Sequence, residues 1–406
     1  MRIMGNNGWE IFIFFIVFIY LASSKPLLAE FHWAQQCNII GEDSSSDDEF
    51  GFSVAIDGNT AVVGARYADP CSDDEGAVYV FDFNGTSWSQ QEKLIASDAQ
   101  ANAYLGYSVA IDGNRIVAGA YKDDHSGETN AGSAYVFTNN GSTWSQQKLP
   151  NPNPDSGDCF GGSVAIDANT IVIGAEYDNY SGTNDTGLAY VYTFNGSTLS
   201  YQDTLTASDA AAGDSFGYSV SIDNDTAVIG AHFADPCNNW DSGAAYVFTG
   251  SGSSWSERKL LPGLDNYDYF GSSVAIDGNT IVVGAQRQFS PGDNPGAAYV
   301  FTGSGWQGSQ QEKLIDESDP VHDDNFGCSV AIEGDRIIVG AEEDYISGGQ
   351  KGAAFSFVRD GTEWSQGQWI TASEPENGDR FGCSVALSGE HLIIGAYSDN
   401  KSGSDS

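Results

Sequence analysis

The sequence predicts an all-β protein, a seven-bladed β-propeller of four-stranded antiparallel blades whose last blade is incomplete. Three observations lead there. A phrase beginning Phe-Gly returns at a spacing of 54 to 56 residues, at Phe50, Leu105 (where Leu replaces Phe), Phe160, Phe216, Phe270, Phe326 and Phe381. Between the phrases lie short runs rich in Val, Ile, Tyr and Phe that alternate with period two, separated by Asp-Gly and Asn-Gly pairs suited to tight turns. A single unit of about 55 residues cannot bury both faces of its own sheet. Neighbouring units must cover them, and four to eight four-stranded blades around an axis is the usual propeller range.

Each unit reads as four strands, A to D. Strand A is FGFSVAID in the first copy, with Phe52, Val54 and Ile56 on one face and Ser53 and Ala55 on the other. Strand B closes in Gly-Ala, as in VVGA at Val62, VIGA at Val172 and IIGA at Ile393. Strand C is GAVYVF at Gly76 and GAAYVF at Gly243 and Gly296. Strand D carries Trp33, Trp88, Trp144, Trp255, Trp306 or Trp364, with Leu199 in the third unit. HWAQQCNII at His32 matches SWSQQEKLI at Ser87, so residues 31–40 are a strand D without A, B or C before it. This strand is expected to complete the blade begun at Phe381. That blade has strands A and B, then the sequence reaches Ser406 where strand C is due, and a truncated chain is the expectation.

Residues 1–29 read as a secretory leader: Arg2, an apolar run from Ile11 to Ala22, a break at Lys25-Pro26, and cleavage near Ala22 or Ala29. Twelve apolar residues are too few to span a bilayer, which takes about 20. Residues 30–406 are then expected outside the cytoplasm, secreted or at the cell surface, with no membrane insertion of the mature chain.

With 16 Lys and Arg against 56 Asp and Glu, the formal charge is −40, which excludes nucleic acid as a natural partner. Charged residues are only 18% of the chain and hydrophobic ones 40%, so this is a packed protein and not an acidic tail. Most acids fall in the B to C and D to A loops, on one face of the disc. The candidate binding face comprises Asp47, Asp48, Asp69, Asp73, Asp74, Asp123, Asp124, Asp178, Asp235, Asp323, Asp324 and Asp344, with Glu317 and Asp319 nearby. Such carboxylates can bind calcium or steer a cationic partner, or they can simply cap turns. No loop spaces its acids as a ligand set, so no metal site is assigned and no cofactor is required, which leaves room only for weak calcium binding.

Ser53, Ser108, Ser163, Ser219, Ser273, Ser329 and Ser384 share one repeat position. A nucleophile needs one asymmetric setting with a base beside it, so these serines read as small structural residues and no catalytic residue is assigned. The six cysteines form no CxxC pair, and no bridges are assigned. Glycosylation sequons stand at Asn84, Asn140, Asn179, Asn184, Asn195, Asn224 and Asn400.

Over residues 50–406 these units resemble FG-GAP repeats, which build integrin α-subunit heads and occur in many secreted or surface proteins. The resemblance implies the propeller fold. In that family an Asp-rich loop of the form DxDxDGxxD often joins the FG strand to the GA strand and holds calcium. Here that connection is only Asp57-Gly58-Asn59 and its equivalents. The resemblance therefore carries over no calcium site, no partner subunit and no inserted domain. The expected function is a monomeric, non-enzymatic binding or adhesion propeller for an extracellular protein or glycan. The rival readings are a polysaccharide hydrolase or lyase, and a propeller module of a longer protein.

Overall fold

The computed structural model describes residues 11–19, 30–45, 47–196, 198–236, 239–287, 295–316, 323–346 and 348–398. Residues 1–10 and 20–29 of the expected leader, Cys237, Glu317, Asp319 and Asn400 lie outside the described residues.

Strands account for the regular structure, and among the described residues there is no α-helix. In the first unit strand A is Phe50–Asp57, B is Thr60–Ala65, C is Ala77–Phe83 and D is Trp88–Leu94. Six such units form antiparallel four-stranded sheets in the order A-B-C-D. A further four-stranded sheet combines Val385–Ser388, His391–Ile394, Ile11–Ile19 and Glu30–Ile39. Glu30–Ile39 thus shares a sheet with the last Phe-Gly unit. The place of strand C, expected empty, is taken by Ile11–Ile19, which pairs with His391–Ile394 on one side and Glu30–Ile39 on the other. A short apolar run has the same composition in a leader and in a strand, so period and hydropathy do not separate the two.

The core lies between sheets. Val62, Val78, Val80 and Leu94 of the first unit pack against Leu105, Ile116, Tyr135 and Phe137 of the second. On the other face of the same sheet, Ala61, Val63 and Tyr79 pack toward Ile393 and Ile39 of the closing sheet. Each motif Phe is fully buried, and Phe50, Phe160, Phe216, Phe270 and Phe326 stand edge-on to aromatic side chains of their own strand C, as Phe50 does to Tyr79 and Phe81 with ring centroids 5.2 and 6.1 Å apart.

The repeated Ser and Gly positions join one sheet to the next. Ser53 Oγ donates to the Gly106 carbonyl at 2.8 Å, and the same bond recurs from Ser108 to Gly161, Ser163 to Gly217, Ser219 to Gly271, Ser273 to Gly327 and Ser329 to Gly382. Ser384 to Gly51, at 3.0 Å, closes the circuit. The Gly of each Gly-Ala is what permits this approach, because a Cβ on Gly64 would lie 2.0 Å from the Gly106 oxygen. A second circuit runs through the A to B turns. The carboxylates of Asp57, Asp167, Asp223, Asp277 and Glu333 accept backbone N–H groups of Gly113, Asn224, Gly278, Gly334 and Gly389 in the following unit.

Two details depart from the strand pattern. Strand A carries a bulge between Phe50 and Ser53, so Phe52 leaves the face of Val54 and Ile56. Trp306 is not part of strand D, which starts at Ser309. The extra Gln307-Gly308 pair leaves this tryptophan in the preceding turn, buried at 3% exposure.

Candidate functional site

The bulge builds the site. In every unit the residue before the motif Phe has a left-handed backbone: Glu49, Tyr104, Cys159, Ser215, Tyr269, Asn325 and Arg380 have φ between 51° and 60°. Its carbonyl accepts the N–H three residues on, as in Phe52 to Glu49 and Tyr107 to Tyr104. A bulge of this kind re-aims the side chain that follows it. The residue after Phe-Gly is thereby turned toward the central channel, beside the residue after Gly-Ala at the end of strand B.

These positions differ from unit to unit while their neighbours repeat. After Phe-Gly stand Phe52, Tyr107, Gly162, Tyr218, Ser272, Cys328 and Cys383; after Gly-Ala stand Arg66, Tyr121, Glu176, His232, Gln286, Glu342 and Tyr397. Most of them line two adjoining cavities of about 610 and 260 Å³, at the end of the channel that carries the B to C and D to A loops. Tyr107, Glu176, Tyr218 and Gln286 border both.

Aromatic rings dominate the wall. Tyr107 lies 4.0 Å from Tyr121 and 5.0 Å from Phe52, centroid to centroid, and Tyr218 lies 3.8 Å from His232. The Arg66 guanidinium sits 3.7 Å over the Phe52 ring and pairs with Glu49 at 2.6 Å. Arg380 pairs with Glu343 at 3.1 Å and Glu342 at 3.6 Å. Lys122 lies 5.1 Å over Tyr104, and among the described residues it has no carboxylate within ion-pair distance.

Among the described residues, two buried polar groups in the larger cavity have no hydrogen-bond partner, Glu176 at Oε2 and His232 at Nδ1. Burial raises Glu176 to about 7, which holds its carboxyl partly protonated at neutral pH. Burial also keeps His232 neutral, with its pKa lowered to about 3. Glu342 is raised by burial, against the pull of Arg380.

The acidic residues singled out above distribute differently. Asp47, Asp69, Asp73, Asp124, Asp235 and Asp323 are exposed and Asp74 is half-buried. Asp48, Asp123, Asp178, Asp324 and Asp344, also assigned to the candidate acidic face, are buried. Many of the acids are engaged in internal bonds. Asp48 accepts from the Ser45 N–H, and the equivalent Asp158, Asp214, Asp268 and Asp379 do the same three residues back. Asp69, Asp124 and Asp235 cap their own loops through the N–H groups of Asp74, Asn130 and Asp241. Asp123 bonds Ser133 and Lys148, and Asp178 accepts from Tyr190. Such short loops use Asp for its ability to mimic a backbone turn.

Among the described residues, one set of acids could hold a cation. Carboxylate oxygens of Asp316, Asp324 and Asp344, all buried, lie within 4.8 Å of one another. They come from the D to A and B to C loops around the sixth unit, so no single loop displays the set. Trp369 Nε1 donates to Asp344. The cysteines Cys37, Cys71, Cys159, Cys328 and Cys383 are free thiols. The sequon asparagines Asn84, Asn140, Asn179, Asn184, Asn195 and Asn224 are exposed.

No repeated position of the sequence points to the channel residues. The signal that finds them is the converse: two columns that vary inside an otherwise constant phrase.

The FG-GAP repeat family model matches residues 33–81, 88–137, 144–192, 200–248, 257–301, 309–357 and 364–406. Most matched segments begin within or just before strand D of one sheet and run through A, B and C of the next, so the repeat is offset from the blade. No curated protein matches the chain.

Proposed function

Because the chain belongs to the FG-GAP repeat family, we propose that it is a secreted or cell-surface binding module without enzymatic activity, which takes an extracellular protein or glycan at the mouth of its central channel. The observation that carries this reading is the varied, aromatic-lined cavity mounted on a scaffold that repeats around the ring. A polysaccharide-cleaving role would need a second carboxylate poised opposite Glu176, whereas Glu342 in the adjoining cavity is tied to Arg380. Capture of ligands from extracellular glycan and protein arrays should be strong for the native chain and at least about tenfold weaker for Tyr107→Ala plus Tyr218→Ala. Equal capture by both would place the binding surface elsewhere.

The ring in this reading has seven blades, and its inner clasp is independent of the leader. Ser384 holds Gly51, and Trp33 exchanges backbone bonds with the Gln368 side chain of the sixth unit at 2.6 and 2.9 Å. Removing residues 1–29 should therefore leave the ring closed and speed hydrogen exchange only at His391–Ile394 and Glu30–Ile39, as expected for local opening of one unit in a repeat array. Faster exchange throughout the first four sheets would refute this. No helix among the described residues is long and apolar enough to cross a membrane.

A further inference from the structure

Resting on the reading of the channel mouth as a binding site, we propose that its ligand is an uncharged sugar residue of a neutral glycan, placed against Tyr107 and Tyr218 with its hydroxyls on Glu176, His232 and Gln286. Three independent features of the cavity converge on this chemistry. A volume of about 610 Å³ falls within the range of small-ligand sites, about 300 to 1,000 Å³. Its wall presents half-buried tyrosine rings, which supply flat apolar surface for the C–H face of a pyranose while keeping a polar edge.

The second feature is the pair of buried, unpartnered atoms, Glu176 Oε2 and His232 Nδ1. A hydroxyl both donates and accepts, so it satisfies each of them whichever proton arrangement they hold. An ammonium group donates only, and a carboxylate at neutral pH accepts only. A sugar brings several hydroxyls on one rigid ring, and the Gln286 amide at the same wall offers both a donor and an acceptor.

The third feature is charge. In a chain of formal charge −40, this cavity is lined, among the described residues, by a single carboxylate, Glu176, and by the cations Lys122 and Arg287. Lys122 and Arg287 rest over tyrosine rings, at 5.1 Å from Tyr104 and 5.2 Å from Tyr269. A cationic ligand would share the cavity with these two side chains. An anionic one would have to cross the acidic loops and settle beside Glu176. An uncharged ligand meets neither barrier.

The test uses the full chain and a defined panel: neutral trisaccharides of glucose, mannose, galactose and N-acetylglucosamine, together with trigalacturonate and tri-arginine. Binding is followed by calorimetry and tyrosine fluorescence. At least one neutral trisaccharide should bind, with affinity unchanged between about 50 and about 500 mM salt. Tyr218→Ala should weaken it about tenfold or more, Glu176→Leu should abolish it, and Glu176→Gln should stay within about threefold because the amide still donates and accepts. Glu176→Leu should also melt no lower than the native chain, which separates lost binding from lost folding. Preferential binding of tri-arginine or trigalacturonate that Tyr218→Ala removes would overturn the sugar assignment while leaving the channel mouth as the site. Trisaccharide binding indifferent to Tyr218→Ala and Glu176→Leu would overturn both, and no binding by any neutral member would overturn the sugar assignment.

Discussion

Replacing Gly174 with alanine is expected to destabilise the protein by more than about 4 kcal/mol, the range reserved for severe steric conflict. A Cβ at this position would lie 1.9 Å from the Gly217 carbonyl oxygen of the next unit and 2.2 Å from Ser163 Oγ. Neither can yield without parting two sheets, because both belong to the bond at 2.7 Å that joins them. Removing that bond alone, by Ser163→Ala, should cost only about 1 to 1.5 kcal/mol. Gly58→Ala is the complementary control: its φ is +55° but nothing lies within 4 Å of a Cβ there, so the left-handed backbone alone should cost about 1 to 2 kcal/mol. Urea unfolding of the three variants gives the ranking. If Gly174→Ala loses no more than Gly58→Ala, the sheets do not meet as closely as the Gly-Ala and Phe-Gly repeats imply.

The melting temperature should rise by on the order of 10 °C as pH falls from about 8 to about 5, given a gain of several kcal/mol across that window. Burial raises Glu176 and Asp158 to about 7 and Asp178 and Asp214 to about 6. In the folded chain these groups bind protons more tightly than in the unfolded one. Between the ordinary carboxylate range and about 7 the native state therefore holds more protons, and stability falls as pH rises. The negative net charge of the chain acts in the same direction, whereas His232, which burial lowers to about 3, acts against it below about pH 6.5, where only the unfolded chain takes up that proton; one such group offsets part of the gain from four carboxyls. Asp43, Asp98 and Asp209 set the lower limit. Burial raises them, but hydrogen bonds and charge from Lys93, Lys148 and Lys259 bring them below 3.8, so their contribution is lost in stronger acid. Glu176→Gln should raise the melting temperature at about pH 8 and flatten the profile. A curve that is level or climbs from about pH 5 to about pH 8 would contradict the burial of these acids.

Repetition made most of the fold legible. Six Phe-Gly phrases and the Leu-Gly at Leu105, their strand alternation and the isolated strand D at Trp33 specify the four-stranded units and bring the two sequence-distant segments into one sheet. The serines were legible as small structural residues, although their bond to the next sheet was not, since it joins residues 52 to 54 positions apart. Alternation misplaced Phe52 because one bulge reverses the side-chain period beyond it. The acidic loops misled for another reason. Composition shows how many carboxylates a loop holds but not that Asp48 or Asp123 is buried and bonded within it. The channel cavity draws each wall residue from a different unit, and only the closed ring brings Tyr107, Glu176 and His232 together.

Under the proposed function, binding resides in the columns that vary, at the channel mouth, and the repeated columns serve the scaffold. Hydroxyl-radical footprinting of the chain with and without a captured ligand tests it most directly. Protection is expected at Tyr107, Tyr121, Tyr218 and Tyr269, with the far face and the outer strands unchanged. Protection centred on the A to B turns around Asp57, Asp112 and Asp277, or on strand D at Trp88 and Trp144, would contradict it.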